Sequence, residues 1–121
     1  MGINTITPAY TLDVNGTGRF TTLIETSTEK LKEDIQPYIT VIEDFLKLQP
    51  VTFMWKESGV RDVGLIAEEV YKLFPEFVSK DDTGEVTGIN YGKLGTIFIN
   101  VLKHMQIEIE VLKQEIKKLK E

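Results

Sequence analysis

The chain has 121 residues, 41% of them hydrophobic and 27% charged, with a formal net charge of −5, which is the composition of one small folded domain. It contains no cysteine and a single histidine, His104, so a disulfide framework, a thiolate zinc site and a multi-histidine metal centre are excluded. The acidic balance argues against general affinity for nucleic-acid backbones, which need clustered Lys and Arg, and no apolar run approaches the roughly 18 residues of a membrane span.

In chain order, Met1-Gly2-Ile3-Asn4-Thr5 lacks the basic and apolar regions of a secretory signal. Tyr10-Thr11-Leu12-Asp13-Val14 alternates apolar with polar, Asn15-Gly16 is a hairpin-turn signal, and Phe20 to Ile24 resumes a strand-like composition. Residues 1–26 therefore read as a short β leader. At its end Ser27-Thr28-Glu29-Lys30-Leu31-Lys32 places a hydroxyl and an amine five positions apart, where a self-cleaving chain would keep a nucleophile and a base. The same residues also fit a capping box, with Thr26 as N-cap and Glu29 reaching back. From Lys30 to about Gln49, Ile35, Ile39, Ile42, Phe45, Leu46 and Leu48 recur near a helical period, which predicts one amphipathic helix ended by Gln49-Pro50.

Val51-Thr52-Phe53-Met54-Trp55 reads as a strand, with Phe53, Met54 and Trp55 expected in the core, and Glu57-Ser58-Gly59 as the turn after it. Asp62 to Ile66 leads into a short helix over Ala67 to Leu73, stopped before Pro75. Gly64 is expected to permit a close backbone approach, and Glu68-Glu69 to be a solvated pair. Phe77-Val78 and Val86 to Asn90 flank Asp81-Asp82-Thr83-Gly84 as a hairpin.

From about Tyr91, expected to anchor its start, to Glu121 the pattern is one long helix. Phe98, Leu102, Met105, Ile109, Leu112, Ile116 and Leu119 are spaced alternately four and three apart, a heptad seam sustained for three repeats. Glu108 with Lys113 and Glu115 with Lys120 then pair across neighbouring parallel helices, and Ile alternating with Leu in the seam by itself leans towards two strands. His104 falls on the outer, exposed side. The fold class is α+β: a small mixed core, a short β leader and a long C-terminal coiled-coil helix over about 91–121.

Five blocks in order carry a family resemblance: Ser27 to Lys32, Leu48-Gln49-Pro50-Val51-Thr52-Phe53, Gly64-Leu65-Ile66-Ala67-Glu68-Glu69-Val70, Phe74-Pro75-Glu76-Phe77-Val78, and Ile89-Asn90-Tyr91-Gly92-Lys93-Leu94. With the coiled helix behind them, residues 27–121 resemble the intramolecular chaperone auto-processing domain. That domain sits at the carboxyl end of bacteriophage tail fibres, neck appendages and endosialidase tailspikes, and a relative occurs in a myelin regulatory transcription factor. The leader from Pro8 to Gly16 is similar to a repeat that often precedes it.

The resemblance implies an intertwined homotrimer that helps the upstream fibre or spike of the same polypeptide to fold during virion assembly in the host cytoplasm. It also implies release by autoproteolysis between Thr26 and Ser27, with Ser27 as nucleophile and Lys32 as general base, and no cofactor, metal, nucleic acid or membrane partner. The upstream fibre would remain in the virion tail. The alternative is a trimerisation cap that stays attached. The family pattern is Ser-Asp-x-Arg-x-Lys; this chain keeps Ser27 and Lys32 and carries Thr28 for the Asp and Lys30 for the Arg. A regular helix would set side chains five positions apart about 140° from each other, so a bend or a neighbouring chain is required to join them.

Overall fold

A computed structural model describes residues 1–121 and resolves them into two compact units, Met1–Pro37 and Tyr38–Glu121. The expected hairpin about Asn15-Gly16 does not form in the first unit. Strand β2 (Asp13–Val14) instead pairs in parallel with β1 (Gly2–Ile3), in the register Gly2 to Asp13 and Ile3 to Val14. The chain reverses through Asn4 at φ 57°, a left-handed conformation that Asn tolerates better than most residues. The terminal ammonium of Met1 donates to the Thr11 carbonyl at 2.8 Å, and the Asp13 carboxylate accepts from the Ala9 amide at 2.9 Å. Phe20 to Ile24 have no strand partner, and their large apolar side chains are exposed.

The single helix expected over Lys30 to Gln49 is also absent. A 3-10 turn covers Glu29–Leu31, and a short helix α1 covers Ile42–Leu46. Pro37 supplies no backbone N–H and disfavours helical backbone at Gln36. Asp34 has φ 47°, a left-handed conformation that a right-handed helix cannot contain, and the branched run Ile39-Thr40-Val41-Ile42 is stiff at χ1. The apolar spacing in this stretch was helical, but its backbone chemistry is not. The helix that does form ends at Leu46 with Lys47 as its C-cap, short of the end expected at Gln49-Pro50.

The second unit is a small mixed α/β assembly. Strands β3 (Val51–Met54) and β4 (Arg61–Gly64) pair antiparallel, from Val51 opposite Gly64 to Met54 opposite Arg61. Their turn closes through the Gly59 amide on the Trp55 carbonyl at 2.8 Å, with Gly59 at φ 70°. Helix α2 (Ala67–Leu73) gives way at Phe74 to a 3-10 turn headed by Pro75, then β5 (Val78–Lys80) and β6 (Val86–Ile89) form the expected hairpin. Asp81 ties its turn: the carboxylate accepts from the Thr83 hydroxyl at 2.6 Å and from the Thr83 and Glu85 amides. Those hydrogen bonds, the Thr83 side chain first, hold the carboxyl below its usual range.

Helix α3 (Tyr91–Lys120) is 30 residues long, about 45 Å at 1.5 Å per residue. Asn90 caps it, its side-chain oxygen accepting from the Lys93 amide at 3.0 Å. Only its first three turns are packed: Leu94, Ile97 and Val101 are buried at i, i+3 and i+7, with Val70, Phe74 and Phe77 completing the buried set. Phe45, Leu48, Leu65, Leu73, Val78 and Ile89 close over Val70, Phe74, Phe77, Leu94 and Ile97. After Val101 every residue of α3 is exposed. No helix is both long and apolar enough to cross a membrane.

Asn100 holds the segment entering α1 to this helix, its side-chain amide donating to the Tyr38 carbonyl at 2.7 Å and the Thr40 hydroxyl at 3.0 Å. Nearby, Phe45 meets Phe98 edge to face at 5.7 Å. Asn100→Ala is expected to lower stability by about 1–2 kcal/mol, because the Tyr38 carbonyl and the part-buried Thr40 hydroxyl both lose their donor; urea unfolding of the two proteins side by side measures it.

Candidate functional site

Ser27 and Lys32 are brought together. The Lys32 ammonium donates to the Ser27 hydroxyl oxygen at 2.7 Å. The backbone explains how a separation unsuited to an α-helix succeeds. The 3-10 turn is closed by the Leu31 amide on the Thr28 carbonyl at 3.2 Å and the Lys32 amide on the Glu29 carbonyl at 3.0 Å. Both flanks are extended, with ψ 139° at Thr28 and 144° at Lys32. One tight turn between two extended residues folds the chain back on itself, and the long lysine side chain spans what remains. The bend required by the spacing is therefore supplied within one chain.

The cap differs from the one expected. Thr28, not Thr26, is the N-cap residue, its hydroxyl accepting from the Lys30 amide at 3.4 Å. Ser27 thus lies outside the turn, with its side chain bonded to Lys32 alone. Ser27, Thr28, Lys30 and Lys32 are all exposed, as is Thr26 on the other side of the Thr26–Ser27 bond.

Other singled-out residues sort clearly. Tyr91 fixes the start of α3 as expected, its hydroxyl accepting from the Leu65 amide at 2.9 Å. Gly64 is the close approach: a Cβ there would lie 2.7 Å from that hydroxyl. Glu68 and Glu69 are exposed, and Glu69 pairs with Lys72 at 3.5 Å. His104 is half exposed and lies 3.8 Å from Glu108 along the helix surface.

Trp55 and Met54 depart from expectation. They are 54% and 57% exposed, in and just after a strand that has only β4 beside it. Trp55 is instead oriented by polar and aromatic contacts, its indole N–H donating to Asp62 at 3.1 Å and its ring meeting Phe53 edge to face at 4.9 Å. The sequence reading passed over Asp62. The available signal was a carboxylate placed to face an aromatic residue across a tight hairpin turn.

A small mixed α/β unit ending in a long helix, preceded by a turn that joins a serine to a lysine, is the kind of domain the geometry defines. Residues 27–79 match the family model described as the chaperone of endosialidase, a family also named as a peptidase. That segment, less than half of the chain, is similar to the endosialidase-type C-terminal chaperone domain. The match starts at Ser27 itself and ends within β5; β6 and α3 lie beyond it. No curated protein matches the chain.

Proposed function

We propose that this chain trimerises at the carboxyl end of a bacteriophage fibre or spike, assists its folding, and then releases itself by cutting between Thr26 and Ser27. The observation that carries the cut is the 2.7 Å contact between the Lys32 amine and the Ser27 hydroxyl, at the residue where the family match begins. Ser27 attacks the carbonyl carbon of Thr26 while a neutral Lys32 accepts the hydroxyl proton. The hydrogen bond then runs in the opposite sense, from hydroxyl to amine. The proton acceptor has to be the neutral amine, so the reaction waits for surroundings that disfavour the ammonium, such as burial between assembled chains.

Assembly is supported by α3. Leu102, Met105, Ile109, Leu112, Ile116 and Leu119 are 43% to 87% exposed in the single chain, a continuous apolar stripe of the sort that parallel helices bury between them. A fibre wound from several chains has slow, non-local pairing, and a nucleus that holds its chains in register lowers that barrier. Cutting afterwards makes the step irreversible, since the finished fibre persists by kinetic stability. The chain would act in the host cytoplasm during virion assembly, with the fibre passing to the tail.

The exposure of both Ser27 and Lys32, and Thr28 and Lys30 in place of the family's acidic and guanidinium side chains, favour a second reading, a cap that remains attached. Intact mass and native mass followed over time on the wild-type chain and Ser27→Ala decide between them. Loss of residues 1–26 from a trimer, abolished by the substitution, is the expected result. A trimer whole in both proteins would leave the cap, and a monomer in both would remove the assembly reading.

A further inference from the structure

A cavity of about 410 Å³ lies on the second unit between the inner face of the β3–β4 hairpin, β6 and the start of α3, within the roughly 300–1,000 Å³ of small-ligand sites. Its walls include the rings of Phe53, Trp55 and Tyr91, and Gly88 leaves part of the floor without a side chain. Asp62 is its one carboxylate, and no lysine or arginine lines it. Arg61 points elsewhere, donating to Thr52 at 3.3 Å.

The carboxylate is fixed and incompletely used. One oxygen accepts from the Val63 amide at 2.8 Å and the other from the Trp55 indole N–H at 3.1 Å. Each keeps a second lone pair, and Asp62 makes no ion pair. The hydrogen bonds, Val63 first, hold its carboxyl below the usual range, so it is ionised at neutral pH.

We propose that this cavity binds a guanidinium cation, stacked against the Trp55 and Phe53 rings and forked onto the free lone pairs of Asp62. A planar, delocalised and weakly hydrated cation suits an aromatic wall better than an ammonium does, and it matches a carboxylate with two parallel N–H groups. The source is a free small compound or an arginine side chain. Arg19 of a second copy is the arginine with the free chemistry, because it makes no hydrogen bond or ion pair in its own chain, whereas Arg61 is engaged on Thr52.

Trp55 is the only tryptophan, so its fluorescence reports on the cavity directly. The full chain, in its native assembly, is titrated with N-acetyl-argininamide and with the neutral citrulline analogue of the same shape. A saturable change with the first, at least about tenfold weaker with the second and in Asp62→Asn, is expected from losing one charge-assisted contact. Asp62→Asn keeps an oxygen for the Trp55 N–H, and its melting curve checks that it folds; the citrulline comparison is made on wild-type protein and needs no variant.

If an arginine of another copy fills the cavity, emission without probe changes with chain concentration and Arg19→Gln removes that change. If a free compound does, emission is flat on dilution. No saturation by the arginine probe in Arg19→Gln, where no partner arginine competes for the cavity, or equal affinity for the citrulline analogue, overturns the proposal. Ser27→Ala should bind as wild type does, which separates this site from the cut.

Discussion

Lys32→Arg is expected to stop cleavage at the Thr26–Ser27 bond, by at least about 10²–10⁴-fold, the usual contribution of a positioned general base. The substitution is chosen because it preserves nearly everything except the property at issue. Arginine is long enough to reach Ser27, keeps the positive charge, and still donates a hydrogen bond. Its guanidinium does not lose a proton in proteins, so it cannot accept one from the Ser27 hydroxyl.

If Lys32 served only to hold the turn through its 2.7 Å contact, the arginine chain would cut at close to the wild-type rate. The fraction of chain lacking residues 1–26, followed by intact mass from fresh refolding, gives both rates. Native mass on the same samples shows whether the variant still assembles, so that failure to cut is not confused with failure to associate.

Ile97→Ala is expected to lower the stability of the second unit by about 2–5 kcal/mol, a large share of the roughly 5–15 kcal/mol available to a small domain. Ile97 is 0% exposed and is one of the two largest fully buried side chains, with Val70. It sits where α3 meets α2 and the Pro75 turn, among Val70, Phe74, Phe77 and Leu94. Removing it leaves a cavity that helices anchored on three sides cannot readily close.

Leu119→Ala makes the informative contrast. Leu119 is 87% exposed in the single chain, so its loss should leave the melting of isolated chains almost unchanged. Any destabilisation should appear only in the associated state and should vary with chain concentration. Thermal unfolding at several concentrations separates the two behaviours.

The sequence was most legible where local chemistry and packing agree. Val51 to Met54, Ala67 to Leu73 and Tyr91 to Lys120 are each announced by composition or period together with a boundary: the Glu57-Ser58-Gly59 turn, Pro75 and Tyr91. Lys30 to Gln49 misled because its apolar spacing was read without giving Pro37 and the branched run after it their due. The leader misled differently. Asn15-Gly16 is a local hairpin signal, whereas the pairing of Asp13–Val14 with Gly2–Ile3 is between strands separated by a loop, which no turn motif announces.

For the candidate site, Ser27 and Lys32 could be named from spacing and resemblance, but not the 3-10 turn that joins them. Trp55 was assigned to the core because aromatic residues in strands usually have a layer above them. Strand β3 pairs only with β4, and Trp55 is held there by Asp62 across the hairpin.

The bare end of α3 has a consequence for how such a chain measures its own surroundings. From Leu102 onwards nothing in its own fold supports the helix, and isolated helices of modest length are marginal in water. If chains associate as proposed, helical order there rises with the number of chains close by. In the proposed assembly the far half of α3 would thus act as a gauge of how many chains are close by, its order tied to association rather than to its own fold.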